Sequence, residues 1–152
     1  MIRMRDAMAA DLGAIVAMLA DDRLGRTREH PGDPGYAAAF AAIEADPNQR
    51  LIVAETDDAE LVGCMQLTFI PGLSYRGAWR AQVEGVRVVA ARRGRGIGGQ
   101  MMRWAIEESR RRNCHTMQLA TNKSRHDAHL FYERLGFIAS HEGMKRALRD
   151  ET

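Results

Sequence analysis

The stretch of this 152-residue sequence whose residue types most directly imply chemistry is Arg92-Arg93-Gly94-Arg95-Gly96-Ile97-Gly98-Gly99. Its glycines let a backbone turn tightly and come close to a ligand. An apolar strand ahead and an amphipathic helix behind place it at a helix start, where unpaired N–H groups attract anions. The arginines add positive charge. A diphosphate is the ligand this combination implies, and a solvated glycine-rich turn is the plainer alternative.

Gly94-x-Gly96-x-x-Gly99 also spells the dinucleotide-binding fingerprint, which would make the chain a nicotinamide or flavin oxidoreductase. The context is wrong for that fold. It needs an acidic residue at the end of the next strand for the ribose, and Met117 to Thr121 carries none. Too little chain follows Gly99 for the remaining crossover units. A Walker-type nucleotide loop is excluded because no Gly-Lys-Ser/Thr follows.

The elements that must hold this loop follow from apolar spacing. Ile2 to Arg5 reads as a short strand, and Leu12, Ile15, Val16 and Leu19 recur at helical spacing. A basic loop from Arg23 to Gly32 leads to Asp33-Pro34, an N-cap followed by proline at the first helical position. Tyr36, Phe40 and Ile43 make the helix after it amphipathic. Leu51–Ala54 and Leu61–Leu67 are strands joined by the hairpin signal Asp57-Asp58-Ala59-Glu60. A further strand runs from Ala81 to Val89. In it Val83 is odd-numbered while Val86 and Val88 are even, so the inward face changes parity, and a β-bulge at Gly85 or its neighbour produces that change. Gly98–Arg112 is a helix, Met117–Ala120 a strand, Asp127–Leu135 a helix ended by Gly136, and Phe137–Ser140 a strand. The fold class is α/β of the α+β kind, one domain over residues 2–149.

Composition narrows the function. Twenty-two basic and 20 acidic residues leave a formal charge of +2, too even to argue for nucleic acid. No run approaches the roughly 20 apolar residues of a membrane span, and the N-terminus lacks the apolar core of a signal peptide, so the expected location is the cytoplasm. Cys64 and Cys114 suit a reducing compartment and read as structural. The five histidines, at 30, 115, 126, 129 and 141, show no metal-ligand spacing, and no metal is expected.

Read as Arg93-x-x-Gly96-x-Gly98, the glycine loop resembles the pyrophosphate loop of GNAT acetyltransferases. Ala128-His129-Leu130-Phe131-Tyr132-Glu133-Arg134-Leu135-Gly136-Phe137 resembles that family's Ala-x-x-Phe/Leu-Tyr-x-x-x-Gly-Phe segment, at the right distance downstream. The resemblance covers nearly the whole chain. It implies a mixed, mostly antiparallel sheet flanked by helices, whose central strands splay beside the bulge to admit pantetheine. It also implies acetyl-CoA as co-substrate, bound by Arg93, Gly94, Arg95, Gly96, Ile97, Gly98 and Gly99 and by backbone N–H groups of Val86, Arg87 and Val88. Many members place Asn three residues before the motif alanine. Here that position is Arg125, with Asn122 and Ser124 close by to make the contact instead.

Acetyl transfer to an amine needs that amine neutral, because a protonated alkylamine with a pKa near 10.4 is no nucleophile. Glu84, at the bulge, is the candidate base in line with the resemblance; the alternative is a structural carboxylate paired with Arg80 or Arg87. Tyr132 matches the motif tyrosine that lies near the CoA sulfur in the family, and a phenol can protonate the departing thiolate. The alternative for Tyr132 is core packing with Ala128, Phe131 and Leu135. Arg23, Arg26, Arg28, Arg76 and Arg80 lie in the two variable loops and suit an anionic amine acceptor. A non-catalytic acyl-CoA sensor is the competing reading of the same features. A homodimer is one assembly the resemblance allows.

Overall fold

The computed structural model describes residues 1–149. Their contacts gather into two compact units, Met1–Leu119 and the residues from Ala120 onward.

The first unit is built on a five-stranded sheet in the order β1-β2-β3-β4-β5. β1 (Ile2–Asp6), β2 (Gln49–Thr56), β3 (Leu61–Ile70) and β4 (Trp79–Val88) are antiparallel neighbours, and β5 (Cys114–Gln118) runs parallel to β4. The chain therefore forms the mixed, mostly antiparallel sheet expected of it. β2 and β3 make the anticipated hairpin, and Ala59 at its tip takes a left-handed φ of 61°. β5 starts at Cys114, three residues before the position expected from apolar spacing.

Helices cover both faces. α1 (Leu12–Ala20) buries Ile15, Val16 and Met18, and Ile15 and Met18 pack with Val53 and Cys64 in one cluster. On the other face lies α5 (Ile97–Arg111), with Met101, Met102 and Ala105 fully buried. Gly63 is what lets it approach. This residue points opposite to Cys64, and a Cβ there would lie 2.6 Å from Met101 Sδ and 3.0 Å from the Arg87 carbonyl oxygen. Burying each of the two methionines contributes about 1.5–3 kcal/mol.

Between α1 and β2 the segment read as an open basic loop contains one helical turn, α2 (Gly25–Arg28). α3 (Gly35–Ala45) follows. It is capped as its sequence implies, with the Asp33 carboxylate accepting the Gly35 N–H at 2.7 Å. After β3 the chain makes a four-residue turn, α4 (Ser74–Gly77), in which Tyr75 and Arg76 are left-handed at φ 52° and 59°.

In the second unit α6 (His126–Arg134) ends in a double hydrogen bond. The Phe137 N–H reaches the Tyr132 carbonyl at 3.1 Å and the Gly136 N–H reaches the Glu133 carbonyl at 3.0 Å, with Gly136 at φ 91°. This is the Schellman arrangement, with glycine in the position that must be left-handed. Phe137–Ser140, expected as a strand, forms no ladder. A strand exists only against a partner, and the described part of this unit has none to offer.

Replacing Gly63 with alanine is expected to destabilise the protein by about 1–3 kcal/mol, the cost of overpacking a filled site. A thermal melt of the variant beside the parent checks this; an unchanged midpoint would mean that α5 does not need the close approach.

Candidate active site

The parity change in β4 comes from one extra residue. Cys64 pairs with Arg87 and Gln66 with Glu84, so two steps along β3 are matched by three along β4. Gly85 sits inside the mismatch at φ 62°. A Cβ there would meet only Leu19 Cδ2, at an ordinary 3.6 Å. Space is thus not what calls for glycine; the left-handed backbone is, at about 1–3 kcal/mol for another residue.

The other side of β4 opens at nearly the same place. Its parallel ladder with β5 begins at Trp79 and Cys114 and ends at Gln82 and Gln118, although β4 continues to Val88. Among the described residues no strand pairs with that edge beyond Gln82. Backbone N–H and C=O groups of a strand are obligatory hydrogen-bonding groups, so the edge from Glu84 to Val88, which includes Val86 and Arg87, can accept an extended polar chain such as pantetheine. The side chain of Arg87 is engaged elsewhere. Its guanidinium pairs with Asp22 at 3.1 Å and donates to the Val86 carbonyl at 2.9 Å.

The glycine loop turns directly into α5. Gly94 and Gly96 are left-handed at φ 76° and 78°, and Gly96 is the residue before the first helical turn. Nothing lies within 4 Å of a Cβ built on either. The first loop-to-helix bond is from Gln100 N–H to the Gly96 carbonyl at 3.1 Å. The N–H groups of Ile97, Gly98 and Gly99 are the ones a helix leaves without intrahelical partners, and such groups are suited to receive an anion. Ile97 contributes only its backbone, since its side chain is in the core. Arg93 is also committed: its Nε donates to the Val88 carbonyl at 3.0 Å, and its Nη2 donates to the Asp21 carbonyl at 3.1 Å and lies 3.5 Å from the Asp21 carboxylate. Arg95 is exposed, with no ion-pair partner among the described residues. The loop can therefore cradle a diphosphate with backbone N–H groups and Arg95, while Arg93 braces the loop.

Glu84 is exposed, on the sheet face opposite Val83. Neither Arg80 nor Arg87 pairs with it, and among the described residues its carboxylate has no ion-pair or hydrogen-bond partner. In the second unit the Asn122 side-chain oxygen accepts the Ser124 N–H at 2.9 Å and the Ser124 hydroxyl at 2.7 Å, and its carbonyl accepts the Arg125 N–H at 2.9 Å. This turn leads into α6. Tyr132 there is half-buried, its ring edge-on to Phe131 at 5.0 Å and to Phe137 at 5.8 Å.

Comparison with known proteins decides the family. The model described as "Acetyltransferase (GNAT) family" matches residues 15–137, across both compact units. The chain belongs to the GNAT acetyltransferases. An aminoalkylphosphonate N-acetyltransferase from Salmonella typhimurium (strain LT2) is 34% identical over 113 residues, covering 74% of this chain and 72% of the relative. The crystal structure of a protein described as a transcriptional regulator from Bacillus halodurans C-125 superposes with a TM-score of 0.93 at 50% identity, covering 97% and 100% of the two chains. Glucosamine-6-phosphate N-acetyltransferase from Arabidopsis thaliana, 14% identical over 98% and 99%, shares the fold with a TM-score of 0.80.

In this GNAT acetyltransferase neither cysteine suits nucleophilic work. Burial pushes the Cys64 thiol up to about 12 and raises that of Cys114 as well, whereas the thiolate is the reactive form. The ties from Arg87 to Asp22 and from Arg93 to Asp21 were missed from sequence, because nothing local in Asp21-Asp22 points to a strand far along the chain. Gln66, which faces Glu84 across the ladder, was also missed, although its alternation with Leu67 was a visible signal.

Gly96→Asp should abolish most CoA binding while leaving the fold, because it places a carboxylate and a strained left-handed residue at the anion site. Calorimetric titration with CoA, paired with a melting curve, measures this. A folded variant that binds CoA as the parent does would remove the loop from the site.

Proposed function

We propose that this GNAT acetyltransferase moves the acetyl group of acetyl-CoA directly to the primary amine of a small acid-bearing acceptor, of which aminoalkylphosphonates are the leading class. The observation that carries the reading is the bulged, half-unpaired end of β4, which sets Glu84 beside an open strand edge that leads into the glycine loop at the start of α5. We read residues 2–149 as one catalytic domain working in the cytoplasm; among the described residues no helix is long and apolar enough to cross a membrane.

Acetyl-CoA supplies an activated acyl group and a leaving thiolate. The chain's residues have the remaining tasks. The α5 N-terminus and Arg95 hold the diphosphate, and the open edge of β4 holds the pantetheine arm and the thioester carbonyl. Asn122, Ser124 and Arg125 offer further polar contacts to the cofactor. Glu84 takes the proton from the ammonium, directly or through water; as the C–N bond forms and the C–S bond breaks, Tyr132 gives its proton to the sulfur, and the second proton that the nitrogen sheds on becoming an amide restores the phenol. With both thiols protonated at neutral pH, direct transfer is favoured over an acyl-cysteine route. An anionic acceptor is supported by the Salmonella relative's name and by Arg80, which alternates with Gln82 and Glu84 on one face of β4.

A second reading, an acyl-CoA sensor without turnover, draws on the description of the Bacillus halodurans protein as a transcriptional regulator. Thioester consumption against 2-aminoethylphosphonate, polyamines, amino acids and peptides separates the two. Turnover of an acid-bearing amine supports the enzyme; tight CoA binding with no turnover of any amine supports the sensor.

Two side-chain changes test the assigned roles. Glu84→Gln should leave CoA affinity nearly unchanged and depress turnover most at low pH, where little amine is neutral, with the deficit closing as pH rises toward the amine's own pKa. A pH–rate profile checks this, and an equal loss at every pH would make Glu84 a structural or substrate-binding residue. Tyr132→Phe should lower kcat by about 10²-fold, the low end for a general acid because a thiolate already leaves fairly well. Its melting temperature and acetyl-CoA affinity should stay close to the parent's; an unchanged kcat would take Tyr132 out of the mechanism.

A further inference from the structure

The two faces of the central strands are built to different rules. On the α5 face Leu67, Phe69, Ala81 and Val83 are at most 2% exposed. On the other, α1 covers β3 only as far as Cys64; from Gln66 onward every second residue of β3 is half-exposed. Of these, Gln66 and Thr68 are polar, with Ile70 closing the strand, and the register lines the two up with others of their kind. Gln49, Thr68, Gln82 and Gln118 form one row across β2, β3, β4 and β5, and Gln66 stands opposite Glu84 in the adjoining row.

These side chains hold one another. The Gln49 amide oxygen accepts from Gln66 Nε2 at 3.0 Å and from Thr68 Oγ1 at 2.9 Å, and the Gln82 amide oxygen accepts from Gln118 Nε2 at 3.0 Å. The two bonds to Gln49 use both lone pairs of its oxygen and fix its amide plane, so its NH2 remains to donate. Likewise Gln82 keeps its donors, while Gln66 and Gln118 keep their carbonyl oxygens. Central strands favour β-branched and aromatic residues, and a row of amides across them adds little to stability. Departures of this kind from the fold's own preferences gather at functional sites.

We infer that Gln66 and Thr68, oriented by Gln49, are specificity-determining contacts for the acceptor, forming with Gln82 the floor on which a short, polar amine lies while its nitrogen meets Glu84. This rests on the catalytic reading of Glu84. Cross-strand neighbours are about 4.5–5.5 Å apart at Cβ, so Gln66 is placed to touch the atoms next to the reacting nitrogen. Neutral amides suit an acceptor that carries both an ammonium and an acid group, since they repel neither. They disfavour an alkylamine, which would leave the row's donors and acceptors without partners.

Gln66→Leu, Thr68→Val and Gln49→Leu test the assignment through two measurements. One is 2-aminoethylphosphonate binding to CoA-saturated protein by calorimetry, and the other is steady-state kinetics at saturating acetyl-CoA. Each variant should weaken acceptor binding and raise acceptor KM by about 3- to 10-fold, the worth of one hydrogen bond, with CoA affinity and melting temperature close to the parent's. Thr68→Val, nearly isosteric, carries the test if a glutamine variant fails to fold. Unchanged acceptor binding and KM in the folded variants would overturn the inference while leaving the catalytic reading intact. An equal loss of CoA affinity would overturn it too, by making the row structural. Parent protein that binds the acceptor through this row but never turns it over would uphold the inference and sink the catalytic reading; parent protein that binds no amine of the panel would sink both.

Discussion

One extra residue in β4 is the constraint from which the rest of the site follows. In an antiparallel pair every side chain's direction is fixed by register, so an insertion of one reverses each direction beyond it. Here that insertion sits at Gly85. Before it, Ala81 and Val83 fill the core under α5 and Glu84 looks outward. After it, β4 leaves β5 behind and carries toward the glycine loop an edge with which no strand among the described residues pairs. A strand without the bulge could keep Val83 buried or aim Val86 and Val88 inward, but not both.

Around this irregular strand the fold places braces rather than more hydrophobic surface. Arg87 and Arg93 flank the end of β4 and fasten it to Asp22 and Asp21, the residues just after α1. The Arg87 pair is largely buried, its side chains 11% and 14% exposed, and removing one partner of such a pair is costly because the other charge is stranded. The loop that carries α2 therefore moves, if it moves, with the strand that bears the bulge. On the far edge Arg3 and Arg5 converge on the buried Glu55, and Arg5 also holds Asp11, whose carboxyl is kept below the usual range chiefly by that hydrogen bond.

The features legible in the sequence were those with a local cause. The bulge could be read from three valines, the tight turn into α5 from the glycines ahead of it, and the start of α3 from Asp33-Pro34. What escaped had causes elsewhere. Phe137–Ser140 has the composition of a strand, but pairing is a property of two segments. Tyr75 and Arg76 are left-handed without the Gly or Asn that ordinarily announces it. Arg93 was legible from its charge and position as a candidate phosphate ligand, but its bonds to Val88 and Asp21, the second of them far away in the chain, were not. The amide row lay open in the alternation of Gln66, Thr68, Gln82 and Glu84, but only the register shows that these residues share one surface.

The end of α6 has a metrical consequence. Its closing hydrogen bonds count backwards from Gly136 and Phe137 to Glu133 and Tyr132, so the azimuth of the tyrosine is measured from the helix's last residue and not from its first. Each residue added to or taken from the interval between Tyr132 and Gly136 would swing the phenol by about 100° around the helix axis. Residues ahead of Tyr132 could change in number while the ring kept its bearing relative to Phe137. The invariant is therefore a distance along the chain: glycine four places after tyrosine, phenylalanine five.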